Sequence, residues 1–246
     1  MFDCLKRIVF PNTYSMEAYI SYLKRNKVLI GDNCIIYAPN HTRIDIRKPY
    51  LIKIGDNVKI TTGVTILAHD YSISVLRMRY GEFIGGSLPV TIGNNVFIGT
   101  KATILMGTDI GDNCIIGANS VVKGSFPSGS VIAGNPARVI MTIDEMYERN
   151  KCRWVENAKK CALTIKANSG HVPSIREMSD GYAWLYLDRS QDTIDKYSDF
   201  FTLSGDNYED IVAAFMKSEP HYSSYKDFLI ECGFSENEIE NERITE

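Results

Sequence analysis

A six-residue repeat between residues 92 and 122 constrains the fold of this chain more than any other feature. The first position of each hexad is aliphatic, at Ile92, Ile98, Ile104, Ile110, Ile116 and Val122. The fifth position is small or β-branched, at Val96, Ala102, Thr108, Cys114 and Ser120. A period of six matches neither the 3.6-residue turn of an α-helix nor the two-residue alternation of a long strand. It is typical of a parallel β-helix, in which short strands separated by corners stack their aliphatic side chains into one core.

The same repeat begins earlier in the chain and is interrupted twice. Ile30 and Ile36 open one coil, and hexads that begin at Ile54, Ile60 and Ile66 form a second. Residues 43–53 break the register between these coils, and residues 72–91 separate the second coil from the regular stretch. A loop as long as the second interruption, without obvious secondary structure, is usually functional or disordered. We therefore expect it to protrude from the coil.

Two hexads depart from the rule at their fifth position. Asn40 fills that position in the first coil, and Asp70, directly after His69, fills it in the second. Local sequence rules tend to fail at functional sites. The two interruptions and the residues beside them are therefore the first candidates for a functional site.

The flanking segments have helical patterns. Thr13 or Ser15 is a candidate N-cap for a helix over residues 16–25, which we expect to cover the open end of the coil. Thr142 and Glu145 form a capping-box pattern ahead of a long helical stretch, and further helices are predicted over residues 174–187, 207–218 and 222–234. The predicted domains are an N-terminal helical cap (1–29), a β-helix with the protruding loop 72–91 (30–141) and a mainly helical C-terminal part (142–246).

Composition excludes several classes of protein. The formal net charge of −3 gives no global basic field of the kind that nucleic-acid binding needs. No run of residues approaches the roughly 18 apolar residues of a membrane span, and the first residues lack the apolar core of a secretory signal. Cys34 and Cys114 occupy the fifth position of two hexads, so buried, reduced side chains are expected rather than disulfides. These features predict a cytoplasmic protein.

The repeat resembles the hexapeptide acyltransferases when three further features are added. These are the histidine just before the long interruption, the segment PVTIGNNVFIG and the segment AGNPARVI. The resemblance covers residues 30–141 and is strongest to the maltose and galactoside O-acetyltransferases and to the capsule and O-antigen acetyltransferases. It implies a left-handed parallel β-helix and a homotrimer. It also implies that acetyl-CoA lies in a groove between two subunits, which would place the active sites there, with no metal.

The resemblance also assigns roles to individual residues. His69 matches the catalytic histidine, and the predicted cofactor-binding residues are Phe97, Gly99, Thr100, Ala118, Lys123, Pro136 and Arg138. Phe97 stands where relatives usually carry tryptophan. The backbone of Thr100 matches a position near the thioester, and that of Ala118 a position near the pantetheine arm. Pro136 and Arg138 match the adenine end, and Lys123 is expected to reach a phosphate of coenzyme A.

The acceptor site is predicted from the two interruptions. Its candidate residues are Asn40, Asp45, Arg77, Arg79, Tyr80 and Glu82, and a further basic group, Arg43, Arg47 and Lys48, surrounds Asp45. If the coils stack, both interruptions project from neighbouring turns near His69. So many cations in a chain of net negative charge predict an anionic saccharide acceptor, because the planar arginine fork binds carboxylate or phosphate. Solvated loop arginines, or arginines that serve the phosphates of coenzyme A, are the alternatives.

The residue types fit acetyl transfer from a thioester to a sugar hydroxyl. A histidine can take the hydroxyl proton as a general base, which is typically worth roughly 10²- to 10⁴-fold in rate. Backbone N–H groups at a corner can stabilise the carbonyl oxygen as charge develops. No serine–histidine–aspartate order or cysteine nucleophile stands out, so direct transfer is favoured. Asp70 is expected to be a turn residue rather than the group that orients the imidazole.

Other functions fit parts of the pattern. A zinc enzyme of the carbonic anhydrase type needs three histidines, whereas the coil offers only His41 and His69. An N-acetyltransferase of an amino sugar, free or nucleotide-linked, would use the same coil. A non-catalytic hexapeptide scaffold would need neither His69 nor the adjoining interruption, so these two features favour an enzyme.

Overall fold

A computed structural model describes residues 9–179, 181–202 and 205–241. The chain divides into two compact units, Met1–Tyr147 and Glu148–Glu246, whereas the sequence pattern suggested a division after residue 141. Residues 1–8 of the predicted cap lie outside the described residues. So do residues 180, 203, 204 and 242–246 of the predicted helical part.

The first unit contains a coil in which successive turns add strands to three sheets. The first sheet contains, in order, β1 (Leu29–Ile30), β4 (Ile52–Ile54), β7 (Val90–Ile92), β10 (Asp109–Ile110) and β13 (Ser125–Phe126). The second contains β2 (Ile35–Ile36), β5 (Lys59–Ile60), β8 (Val96–Ile98), β11 (Cys114–Ile116), β14 (Ser130–Gly134) and β15 (Ala137–Thr142). The third contains β3 (Arg43–Ile44), β6 (Thr65–Ile66), β9 (Thr103–Ile104) and β12 (Val121–Val122). Among the described strands all neighbours pair in parallel except β14 and β15, which are antiparallel.

Three corners connect the sheets and are named here by order. The first corner joins the first sheet to the second, the second corner joins the second sheet to the third, and the third corner returns to the first sheet. The register keeps equivalent hexad positions in line, as in the pairing of Ile60 with Ile98 and of Ile66 with Ile104. The aliphatic first positions therefore stack into one buried column, as the repeat predicts.

The fifth position is also directed inward in the hexads that follow the rule, whereas Asn40 and Asp70 are exposed. Cys34 and Cys114 are buried and carry free thiols, as their place in the repeat predicts. Burial raises the pKa of both thiols, which keeps them protonated and unreactive.

The first corner explains the recurring Gly-Asp-Asn and Gly-Asn-Asn sequences. Its asparagines have positive φ angles, Asn33 at 54°, Asn57 at 56°, Asn95 at 53° and Asn113 at 56°. Asparagine tolerates this left-handed region better than other residues with a Cβ. The preceding side chain accepts a hydrogen bond from the backbone of the coil before it, as Asp112 Oδ1 does from Asn94 N at 2.6 Å. Short polar side chains thus fix the corner in successive coils.

Replacing Asn113 with alanine is expected to lower the free energy of unfolding by about 1–2 kcal/mol, because alanine lacks the short polar side chain that lets asparagine adopt the left-handed backbone. Asn113→Gly is the matched variant, since it also loses the 2.8 Å hydrogen bond from Asn95 Nδ2 but tolerates the positive φ. It should cost less than the alanine variant in urea unfolding. Equal costs for the two variants would contradict a conformational role for this position.

Helix α1 (Met16–Arg25) covers one end of the coil, as predicted. Ser15, rather than Thr13, is the N-cap, and its Oγ accepts a hydrogen bond from Ala18 N at 3.2 Å. Leu23 and Tyr19 are buried in the same cluster as the coil aliphatics. The Tyr19 hydroxyl also donates to the carbonyl of Thr42 at 3.1 Å, which joins the helix to the first coil.

The long interruption is not the unstructured loop that the sequence indicated. It contains helix α2 (Ile73–Tyr80), which ends at Gly81 in the left-handed conformation. The helix has no buried residue, and Val75 and Met78 are among its exposed apolar side chains. Apolar and basic residues alternate around the helix without forming one stripe, so hydrophobic periodicity did not reveal it.

The second unit is helical, as predicted. Helix α3 (Ile143–Ser169) begins at the predicted capping box, where Glu145 N donates to Thr142 Oγ1 at 3.1 Å. It is followed by α4 (Gln191–Lys196), α5 (Tyr208–Lys217), α6 (Tyr225–Glu231) and α7 (Glu236–Asn241). The prediction of a helix over residues 174–187 is wrong, because the described residues of that segment form turns and a short 3₁₀ helix, Tyr182–Leu185. None of the helices in the described ranges combines the length and apolarity needed to cross a membrane.

Candidate active site

The third corner brings the two interruptions of the repeat together. Strands β3 and β6 pair in register, with Arg43 beside Thr65 and Ile44 beside Ile66. The chain continues from each strand into an interruption, and Asp45 N donates to the carbonyl of Ile66 at 3.0 Å. Stacking of neighbouring coils therefore brings the first interruption beside the start of the second.

Asp45 and His69 form a pair at this corner. The carboxylate Oδ2 of Asp45 contacts His69 Nδ1 in a short hydrogen bond. The side chain of Asp45 is 3% exposed and that of His69 17% exposed, so the pair lies at the edge of the buried core. A carboxylate at Nδ1 favours the tautomer with the proton on that nitrogen, which leaves the Nε2 lone pair able to accept a proton.

The structure gives Asp45 a different position from the one that the sequence predicted. Asp45 was expected to contact the acceptor, but its carboxylate is directed inward and accepts hydrogen bonds from other residues of the protein. Its Oδ1 accepts from Arg47 N at 2.8 Å, and its Oδ2 accepts from Ala68 N at 3.2 Å as well as contacting His69. Asp45 is thus placed to hold the imidazole.

Asp70, in contrast, is the turn residue that the sequence predicted. Its two carboxylate oxygens accept from the backbone N–H and the hydroxyl of Ser72, each at 2.8 Å. The backbone hydrogen bond, then the hydroxyl, holds the pKa of the Asp70 carboxyl below its usual value, and the charges of Lys123 and His69 add to this. Asp70 therefore shapes the turn after His69 and leaves the imidazole to Asp45.

Tyr71 and Arg47 complete the surroundings of His69. The ring of Tyr71 meets that of His69 edge to face, with centroids 4.6 Å apart. The guanidinium of Arg47 lies 5.5 Å from the Tyr71 ring centroid. Sequence reasoning did not single out Tyr71, and its only signal was its place two residues after His69. The interruption closes beside the site, because Leu88 N donates to the carbonyl of Ala68 at 3.2 Å.

The second corner holds several of the predicted cofactor residues on successive levels. Gly99 N donates to Ile116 O at 2.8 Å, and Gly117 N donates to Ile132 O at 2.8 Å. These bonds stack Thr100, Ala118 and the turn of residues 134–136 one above another, at the spacing of about 4.8 Å between paired strands. A Cβ on Gly99 would lie 2.6 Å from Ala118 N, so only glycine allows the coils to approach this closely.

This corner presents backbone N–H donors and an exposed aromatic ring, which an extended ligand with amide groups could contact. The N–H groups of Thr100 and Ala118 donate to no backbone carbonyl within the described residues. Phe97 is directed outward from the second sheet and is 40% exposed, next to Ile115 on the following coil. Pro136 is exposed at the end of the row. Thr100, Ala118 and Pro136 thus follow one another along this corner, and their roles at the thioester, pantetheine and adenine positions stay a prediction from the resemblance.

Comparison with known proteins decides the family. A family model described as the hexapeptide repeat of succinyl-transferase matches residues 89–123. Protein CapG of Staphylococcus aureus is 38% identical over 153 residues, which cover 58% of this chain and 87% of CapG. The chain belongs to the hexapeptide-repeat acetyltransferase family. Galactoside O-acetyltransferase of Escherichia coli strain K12 is 39% identical over 127 residues, 52% of this chain and 59% of that enzyme.

The coverage of these family members differs. The chain spans less than two thirds of the length of the first two curated relatives, 57% and 59%. A solved galactoside acetyltransferase in complex with coenzyme A is 28% identical, with a TM-score of 0.42 over 61% of this chain and 84% of that structure.

Three further predicted site residues of this hexapeptide-repeat family member are spread over different parts of the coil. Lys123 is at the third corner, near enough to Asp70 to affect its pKa, and not at the second corner with Thr100. Asn40 lies in the 3₁₀ turn Pro39–His41 at the second corner. Arg138 is exposed on β15, and its Nη1 donates to the carbonyl of Ala137 at 2.7 Å.

Helix α2 carries the acceptor residues predicted in the long interruption. Arg77, Arg79 and Tyr80 lie on this helix and Glu82 follows it, and all four are exposed. Arg79 packs 5.9 Å from the ring of Tyr80, and no contact given by the described residues joins these side chains to His69. The described residues also contain no group of three histidine, cysteine, aspartate or glutamate side chains that could hold a metal ion.

Proposed function

We propose that this chain is an acetyl-CoA-dependent O-acetyltransferase that acts on a saccharide hydroxyl. The acceptor we propose is a capsule or O-antigen polysaccharide or its precursor. The observation that carries this proposal is His69, held at Nδ1 by a buried carboxylate and able to accept a proton at Nε2. The names of the relatives galactoside O-acetyltransferase and WbbJ, an O-acetyl transferase of lipopolysaccharide biosynthesis, support the choice of substrate.

In this proposal His69 is the general base. A sugar hydroxyl must lose its proton as it attacks, and Nε2 accepts that proton. The carboxylate of Asp45 keeps the ring oriented and stabilises the positive charge that the imidazole gains. Burial raises the pKa of the thiols of Cys34 and Cys114, which makes both poor nucleophiles and favours direct transfer.

Acetyl-CoA would supply an activated acetyl group as its thioester. The N–H groups of Thr100 and Ala118 are free to donate to such a ligand, and Phe97 offers an apolar surface beside them. The backbone donors would stabilise negative charge on a carbonyl oxygen without reorganising. Gly99 allows the close stacking of coils that exposes this row, and we assign Pro136 and Arg138 to its far end. Lys123 remains a candidate for a phosphate contact.

We propose a homotrimer of left-handed coils, and the separation of the two groups of residues supports active sites shared between its subunits. His69 lies at the third corner of the coil, whereas Thr100 and Ala118 lie at the second. One chain therefore does not bring its base and its backbone donors to the same corner. A cyclic assembly can bring the third corner of one subunit against the second corner of the next, in identical sites.

Mixing two inactive variants tests this arrangement. His69→Ala lacks the base, and Ala118→Trp places a large side chain on the exposed row of the second corner. In trimers assembled at random from equal amounts of both, about a quarter of the sites should combine an intact third corner with an intact second corner. We therefore expect co-expression to restore about a quarter of wild-type turnover, measured as release of coenzyme A.

Each variant alone, purified in the same way, is the control for this experiment. Both should keep the circular dichroism spectrum of the wild type. If the mixed preparation is no more active than the two variants alone, although mass spectrometry shows mixed oligomers, the shared site is contradicted. An active monomer in light scattering would contradict it as well.

A further inference from the structure

Arg47 is joined to the candidate active site through both its main chain and its side chain. Its N–H donates to Asp45 Oδ1 at 2.8 Å, and its guanidinium lies 5.5 Å from the centroid of the Tyr71 ring. Tyr71 in turn meets His69 edge to face at 4.6 Å. We infer that Arg47 and Tyr71 form an acceptor subsite that selects saccharides carrying a carboxylate or phosphate. This inference rests on the proposed function.

The guanidinium of Arg47 has the features of a ligand-binding arginine. Its residue is exposed, and no carboxylate among the described residues forms an ion pair with it. A guanidinium has five N–H donors in a planar fork that matches a carboxylate or a phosphate. Those donors make no side-chain hydrogen bond with the described residues, so they are available to an acceptor.

Arg189 in the second unit shows what a structural arginine looks like in the same chain. Its guanidinium donates to Ser218 Oγ at 3.0 Å and to the carbonyl of Trp184 at 2.8 Å, and it also contacts the carbonyl of Leu187. It packs 4.1 Å from the centroid of the Phe215 ring. The N–H donors of Arg189 are thus used in hydrogen bonds inside the fold. Arg47, in contrast, is exposed near His69.

The neighbouring acidic groups leave room for an anion at this place. The Asp45 carboxylate is 3% exposed and bound to His69, so it presents little negative charge at the surface. Asp70 is exposed, but its oxygens face the turn at Ser72, and the charge of Lys123 acts on it. Tyr71 is 58% exposed, so its ring keeps surface that a sugar can pack against.

This inference assigns charge recognition to the first interruption alone, whereas the sequence predicted that the cations of both interruptions bind the acceptor. Of those cations, Arg77 and Arg79 lie on α2 without a described contact to His69. Arg47 reaches the histidine through a single aromatic ring. A carboxylate or phosphate on Arg47 would therefore fix the position of an acceptor close to the general base.

The test compares acidic and neutral acceptors that otherwise match. The probes are galacturonate with galactose, methyl glucuronide with methyl glucoside, and glucose 6-phosphate with glucose. For wild type, Arg47→Gln and Arg47→Lys, kcat and KM are measured on each pair by release of coenzyme A. Lys53→Gln, which removes one exposed cation of β4, is the matched control, and acetyl-CoA affinity is measured separately by calorimetry.

We expect the wild type to prefer the acidic member of at least one pair. Arg47→Gln should lower the acidic-to-neutral ratio of kcat/KM by roughly 10- to 100-fold, mainly through KM, because a hydrogen-bonded charge pair is lost. Arg47→Lys should keep part of the preference, since the charge remains but the planar fork does not. Lys53→Gln should keep the wild-type ratio.

Several outcomes would overturn the inference while leaving the proposed function intact. They are a wild-type preference for the neutral members, equal losses on both members of every pair, and a loss confined to acetyl-CoA affinity. Loss of the acidic preference in Arg77→Gln/Arg79→Gln but not in Arg47→Gln would also overturn it. If the wild type binds acetyl-CoA but acetylates neither the probes nor a capsule or O-antigen polysaccharide, the proposed function itself fails.

Discussion

Replacing His69 with alanine is expected to lower kcat by about two to four decades, the usual worth of a general base. In the proposed mechanism the imidazole accepts the hydroxyl proton, because Asp45 occupies Nδ1 and leaves Nε2 able to accept it. The row of Thr100 and Ala118 lies at another corner and stays intact. The loss should therefore fall on kcat, measured in steady state, while acetyl-CoA affinity in calorimetry changes little.

His171→Ala is the matched control for this variant. His171 also pairs with a carboxylate, since its Nε2 lies 2.9 Å from Glu177 Oε1, but it is an exposed residue of the second unit. Its replacement should leave kcat close to that of the wild type. Near-wild-type turnover in a folded His69→Ala variant would remove His69 from the mechanism, whatever the control shows.

Replacing Asp45 with asparagine is expected to lower kcat by roughly 10- to 1000-fold without removing the base itself. The two oxygens of Asp45 accept from Arg47 N, from Ala68 N and from the imidazole. An asparagine has only one oxygen, so at least one of these donors must face an NH₂ group. With the amide nitrogen toward His69, the ring would present the proton at Nε2 and could not act as a base.

Asp70→Asn is the matched control, because it removes a neighbouring carboxylate whose oxygens bind Ser72. It should change kcat by less than about threefold, since an asparagine oxygen can still accept from Ser72 N and the Asp70 carboxylate makes no hydrogen bond to the imidazole. For Asp45→Asn, acetyl-CoA affinity and the unfolding midpoint are also measured. They show whether a lower kcat comes from a misplaced imidazole or from loss of structure. A wild-type kcat for Asp45→Asn, or equal decreases in kcat for Asp45→Asn and Asp70→Asn, would contradict the positioning role.

The hexad repeat predicted most of what positions the site. Because strands of neighbouring coils pair at equivalent hexad positions, the repeat predicted that Ile60 stacks with Ile98 and that the cysteines at fifth positions are buried. It also located His69, since the pattern breaks at Asp70 and the long interruption begins there. Side-chain periodicity is reliable where a buried column imposes one residue type at one spacing.

The contacts across the interruptions could not be read in the same way. The pairing of Asp45 with His69 depends on the alignment of Ile44 with Ile66, and the two interruptions that follow these residues differ in length. That alignment was the signal that could have revealed the pair, since each residue follows a stacked isoleucine closely. Helix α2 and the contact of Tyr71 with Arg47 left no such signal, because exposed residues carry no periodic pattern.

The structure of the transferred product tests the central proposal most directly. Wild type and His69→Ala are incubated with acetyl-CoA and a panel that pairs sugars bearing only hydroxyls with matching amino sugars, and the products are identified by mass spectrometry and NMR. We predict an acetyl ester on a sugar hydroxyl that mild alkali removes and that His69→Ala forms at least 100-fold more slowly, as expected for loss of a base. Acetyl groups found only as amides on amino sugars, or no transfer to any sugar by a protein that binds acetyl-CoA, would contradict it.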